Sequence, residues 1–92
     1  MSVTANDIRV AATTLQGQVI RTPILAAPLL SRQFGCDLFV KLECQQYTSS
    51  FKARGAYIAM QSLSSAERNA GVIAMSAGNH AQAVAYHAER MG

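Results

Sequence analysis

Tryptophan is absent from this chain of 92 residues, and proline and cysteine occur only twice each. Charge is scarce as well: 14% of the residues, eight basic against five acidic, for a formal net charge of +3. The basic residues stand singly and are not interleaved with aromatics, so the electrostatic footprint of a nucleic-acid binder is missing. Cys36 and Cys44 flank an apparent strand. An extended segment of that length spans roughly 26 Å, whereas a disulfide needs Cα atoms within about 7 Å. No C-x-x-C spacing offers a metal or redox site, so both thiols are expected to be free, as in a cytoplasmic protein.

No apolar h-region follows the polar first residues, so no secretory signal is expected. Residues 69–88 lack a formal charge, but Ser76, Gly78, Asn79, His80 and Gln82 break the run, which excludes a membrane span. What the chain has in quantity is apolar residues, 50% of the total. A unit this small buries only about two-thirds of the surface of its unfolded chain. So apolar a composition therefore predicts surfaces covered by more protein, and a chain that reads as cut short.

Local signals divide the chain. Thr4-x-x-Asp7 reads as a helix N-terminus, followed by Ile8, Ala11, Ala12 and Leu15 at helical spacing and by Gly17 as a stop. Pro23 keeps "RTPIL" extended, and a short helix through "APLLSRQFG" closes at Gly35. "DLFVKLE" (residues 37–43) reads as a buried strand. Residues 51–63 predict a helix with Ala53, Ala56, Tyr57, Met60 and Leu63 on one face. Gly55 within it predicts close packing against another element. Ser64-x-x-Glu67 is a capping box. "GVIAM" (71–75) has the continuous apolar character of a strand buried on both faces of a parallel sheet. The last helix, "NHAQAVAYHAERM", is expected to turn Ala81, Val84, Ala85, Ala88 and Met91 inward. The alternation predicts an α/β fold with parallel strands and covering helices.

Two stretches carry chemistry. In "SAGNH" (76–80) a strand is expected to run through a tight turn into a helix. The free N–H groups of the helix's first turn would then form an anion site, with Ser76 and Asn79 adding donors. The competing reading is that these two side chains merely cap the helix. His80 and His87 lie about 10.5 Å apart along one helix, too far for joint metal ligation, and no metal site is expected. His87 reads as a helix-face residue. In "TSSFKARGA" (48–56), Lys52 falls in the first turn of a helix, beside Phe51. The helix dipole disfavours an ammonium group there, desolvation acts in the same direction, and a neutral amine is what a carbonyl needs.

These stretches, with "RTPIL" at 21–25, "DLFVKLE" at 37–43 and "GVIAMSAGNHAQAVA" at 71–85, resemble in order and spacing the opening of the pyridoxal-phosphate enzymes of the tryptophan-synthase-β fold type, fold type II. Within them the chain is similar to the threonine dehydratase and serine dehydratase/racemase group. The resemblance implies that Lys52 holds pyridoxal 5′-phosphate covalently and later acts as base at the substrate Cα. It implies that Phe51 lies against the cofactor ring and Asn79 bonds its 3′-oxygen. Ser76, Gly78, Asn79 and His80 would hold the substrate carboxylate.

The implied reaction converts threonine to 2-oxobutanoate, or serine to pyruvate, with release of ammonia. A sibling lyase acting on 3-hydroxyaspartate, a serine racemase and an inactive, non-catalytic piece are the other readings. Residues 1–70 would open the large domain and 71–92 the small one, within a homo-oligomer. Cys44 stands where the group usually has Asn, Ser49 where Gly is common, and Ala77 where racemases carry a second Ser. The loop that grips the cofactor phosphate has no counterpart among these residues.

Overall fold

The computed structural model describes residues 1–92. Helix α1 (Ala5–Leu15) starts with a capping box: Asp7 N–H donates to the Thr4 hydroxyl, while the Asp7 carboxylate accepts from Thr4 N–H at 2.8 Å. Strand β1 (Ile24–Ala26) follows Pro23. Helix α2 (Pro28–Phe34) has its proline in the first turn, where a missing N–H costs nothing, and ends at Gly35, φ +67°. Strand β2 (Phe39–Lys41) leads into two 3₁₀ turns, Glu43–Gln45 and Tyr47–Ser49. Helices α3 (Lys52–Gln61), α4 (Ser65–Ala70) and α5 (Asn79–Met91) complete the chain. The second capping box, Ser64 with Glu67, forms as expected at α4.

The core is a seam between α3 and α5, sealed at one end by the Tyr47–Ser49 turn and flanked by α1. Ala53, Ala56, Tyr57 and Met60 are the buried face of α3, the residues that helical periodicity selects. The two helices are tied at two places. Ala53 at the start of α3 meets His87, while Met60 and Leu63 at its end share a groove with Ala88 and Met91.

Several expectations are corrected. The only ladder is antiparallel, Ile24 to Ala26 against Lys41 to Phe39, so no parallel pair forms among these residues. "DLFVKLE" yields just three strand residues, all exposed. "GVIAM" forms no strand: Ile73 is 99% and Met75 101% exposed. Apolar content is necessary for a buried strand, but a ladder also needs a neighbour to supply its hydrogen bonds, and residues 71–75 have none. The buried residues of α5 are Ala83 and His87, one helical turn apart, rather than the Ala81–Val84–Ala85–Ala88–Met91 stripe. Gly55 has open space where a side chain would stand, so no element closes on it.

Only ten residues are buried. The accessible surface is 6941 Å², against about 5200 Å² for a closed monomer of this mass. The radius of gyration is 15.9 Å, against about 12 Å for a compact domain of this length. The molecule is thus elongated, 52 × 29 × 26 Å, with apolar side chains exposed at Ile24, Phe39, Val72, Ile73 and Met75. No helix is long and apolar enough to cross a membrane.

Candidate active site

Lys52 opens α3. Its N–H donates to the Ser50 hydroxyl at 3.3 Å, so Ser50, itself buried, begins the helix in place of a cap from Phe51. The lysine side chain is exposed and its ammonium has no ion-pair or hydrogen-bond partner; the Phe51 ring stands beside it, 5.3 Å from Nζ to centroid. The side chain is thus exposed rather than buried. The amine is held beside an aromatic face and left free.

The approach to Lys52 is a strained loop on a rigid base. Thr48 and Ser49 both adopt positive φ, 61° and 60°, in the left-handed region that non-glycine residues avoid. Two consecutive residues persist there only when their surroundings over-determine them. On the upstream side, the buried Gln46 pairs with the backbone of Ile20 like a strand neighbour. Its Oε1 accepts from Ile20 N–H at 2.8 Å, and its Nε2 donates to the Ile20 carbonyl at 2.8 Å. On the downstream side, Arg54 donates to Glu43 from Nε at 2.9 Å and from Nη2 at 2.8 Å. Thr22, buried, donates to the same carboxylate. The Arg54 bonds first, then the Thr22 and Gln46 side chains, hold the Glu43 carboxyl down at about 2. From above, Tyr47 packs on Tyr86 of α5, ring centroids 5.2 Å apart.

The second half of the site is the turn before α5. Gly78 is the N-cap residue and no side chain caps the helix. The first intrahelical bond here runs from Gln82 N–H to the Gly78 carbonyl, so the N–H groups of Asn79, His80 and Ala81 have no partner within the helix. Ser76 does not cap it either, since its hydroxyl accepts from Gly78 N–H at 3.2 Å. The capping alternative is therefore not realised, and the first turn of α5 keeps free donors and the positive end of a helix 13 residues long.

Lys52 and the 76–80 turn each open one helix of the packed α3–α5 pair. Asn79 lies eight residues before His87, about 12 Å along α5, and His87 meets the residue next to Lys52. Ser76, Asn79 and His80 are exposed, as is Phe51, so the site is an open face, not a cleft. Three functional contributors escaped sequence reasoning: Gln46, the Glu43–Arg54 pair and His87. Only His87 had a signal, a histidine one turn after Ala83 in an alanine-rich helix.

A free amine beside an aromatic ring, and uncapped donors on the helix packed against it, suit a small ligand bearing a carbonyl and an anion. The model of the pyridoxal-phosphate dependent enzyme family matches residues 15–92. The L-threonine ammonia-lyase of Thermotoga maritima is 46% identical over 90 residues, 98% of this chain and 22% of that protein. The L-threo-3-hydroxyaspartate ammonia-lyase of a Pseudomonas species is 44% identical over 80 residues, 87% of this chain and 25% of that protein. The solved structure of maize serine racemase superposes with a TM-score of 0.85 at 34% identity, covering 99% of this chain and 29% of that one. The chain thus spans about a quarter of the length of these relatives and has the fold-type-II architecture over that span. On its family match, the chain belongs to the pyridoxal-phosphate dependent enzymes.

Proposed function

We propose that these residues form the lysine-bearing part of the active site of a pyridoxal-phosphate-dependent ammonia-lyase acting on L-threonine, L-serine or both. The observation that carries the reading is that one of two packed helices opens on an unpartnered Lys52 and the other on an uncapped N-terminus. The 46% identity to a threonine ammonia-lyase supports it. When bound, pyridoxal phosphate supplies a carbonyl for covalent attachment and a ring that withdraws the electron pair from the substrate Cα.

The chain's own residues divide the remaining work. Lys52 is the attachment point and the base that takes the Cα proton. Phe51 would hold the cofactor ring from one side, and Asn79 would supply a donor to it. Ser76, Gly78, Asn79 and His80 bind the substrate carboxylate through the free donors of the turn, which orients the Cα–H bond toward Lys52. The net reaction takes threonine to 2-oxobutanoate and ammonia, and serine to pyruvate and ammonia, with one water expelled and one taken back.

Residues 1–70 belong in this reading to the large domain and 71–92 to the small one, in a cytoplasmic homo-oligomer. A 3-hydroxyaspartate ammonia-lyase is the second reading, favoured by the 44% identity to such an enzyme. Racemisation fits less well, because Ala77 offers no hydroxyl to serve as a second acid or base.

The test is a spectroscopic titration of the chain with pyridoxal phosphate beside a Lys52→Ala control, followed by assay of 2-oxo acid from threonine, serine and 3-hydroxyaspartate. A retained absorbance band that depends on Lys52 supports the reading. A band of equal strength in the control overturns the role of Lys52.

A further inference from the structure

His87 is the one large side chain that is fully buried, at 0% exposure. Its Nε2 lies 2.8 Å from the Ala53 carbonyl and must donate, since a carbonyl only accepts. The proton is therefore on Nε2, and Nδ1 is left to accept from Arg90 Nη1 at 3.3 Å. Arg90 in turn donates to Gln18, to its carbonyl at 3.2 Å and its side chain at 2.9 Å. Tyr57 and Tyr86 meet the imidazole edge-on, at 5.1 and 5.0 Å between centroids. Every face and both nitrogens of this ring are thus occupied, and by groups of the protein alone.

The two ends of this contact matter. Ala53 follows Lys52 directly, in the first turn of α3, and His87 lies two turns into the helix whose first turn is the carboxylate site. An apolar seam permits helices to slide and rotate over one another. A directional bond to one carbonyl sets both the register and the rotation. The structure assigns His87 as the positioning residue that fixes the Lys52 turn against the Asn79–His80 turn. This inference rests on the proposed function only for what those two turns bind; the coupling itself is a property of the free chain.

The test compares the parent with His87→Leu, which keeps an apolar bulk without a donor, and His87→Gln, which retains a donor that can reach the Ala53 carbonyl. At pH 7.5, without cofactor, nuclear magnetic resonance follows the amides of Lys52, Ala53 and Arg54 and those of Asn79, His80 and Ala81. The expected result is that Leu displaces both sets while helix content persists, and Gln restores both toward the parent positions. A folded Leu variant with either set unmoved overturns the assignment. So does a Gln variant that displaces both sets as far as Leu does, and this variant decides alone should the Leu chain unfold.

Retention of pyridoxal phosphate on Lys52 is measured in parallel and is expected to weaken more than tenfold in Leu and less than threefold in Gln. A parent that retains none on Lys52 counts against the proposed function. The amide comparison still decides the role of His87.

Discussion

Arg54 grips Glu43 with two hydrogen bonds, from Nε at 2.9 Å and from Nη2 at 2.8 Å, across the base of the loop that delivers Lys52. Both side chains are partly shielded, 30% and 18% exposed, so this ion pair sits between the surface and buried regimes. Its value is geometric as much as energetic: a bidentate fork leaves Arg54 one orientation, and Arg54 stands two residues after the lysine in the same first turn of α3.

The Glu43 carboxyl is lowered from 4.5 to about 2, so its contribution to stability is complete above about pH 4.5 and is lost as pH falls toward 2. Glu43→Gln is expected to cost about 1 kcal/mol at neutral pH, because the Arg54 guanidinium loses its charged partner yet keeps some solvent. The same variant should flatten the acid limb of a urea-melt series between pH 5 and 2.

His87 behaves differently with pH. Burial first, and then the charge of Arg90, lower its pKa below 6.5, while the Ala53 carbonyl opposes the shift. Tyr57 from α3 and Tyr86 and Arg90 from α5 are the titratable groups facing the ring. A depressed histidine leaves stability intact above the unfolded value of about 6.5 and erodes it as pH falls through the folded value, because only the unfolded chain takes the proton. The midpoint of unfolding should therefore drop between pH 7 and 5 in the parent and hold steadier in His87→Gln.

Ser49 occupies φ +60° beside Thr48 at φ +61°, and the Thr48 hydroxyl is buried without a partner. Glycine has no Cβ to clash in that region. Ser49→Gly is expected to raise stability by roughly 0.5–1 kcal/mol, the released strain exceeding the added freedom of the unfolded chain. Denaturant unfolding of the two chains side by side measures it; a less stable glycine variant would show that the loop is not strained at this position.

Ala83 is fully buried in α5, the helix that packs on α3 and on the Tyr47–Ser49 turn. Ala83→Leu should force the packed elements apart and cost about 1–3 kcal/mol. Loss of the Tyr47–Tyr86 contact, read from tyrosine near-ultraviolet dichroism, should accompany it. Unchanged stability would mean the seam has room that its burial does not suggest.

Local order is legible in residue pattern because its causes are local. The two capping boxes, the proline-first α2 with its Gly35 stop and the Ala53–Ala56–Tyr57–Met60 face each follow from side chains acting on backbone within one or two turns. The helix starts at Lys52 and at Asn79 were likewise legible, since turn residues directly precede both. Strand pairing was not. The β1–β2 ladder is antiparallel and residues 71–75 are unpaired because a strand's partner is chosen by distant chain, which no window of sequence contains.

The same limit hid the side chains that hold the site. Gln46 meets Ile20 across 26 residues and His87 meets Ala53 across 34. In sequence the first looks like a polar loop residue and the second like one more position on a helix face. Residue pattern alone showed where helices start, which face of α3 is apolar and which family the chain resembles. Tertiary structure decided the rest: that α3 packs on α5, that α5 starts uncapped, and that a buried imidazole ties the two helices together. The physical reason is that propensity and capping act through neighbouring peptide groups, whereas a buried hydrogen bond between helices exists only once both have been brought together.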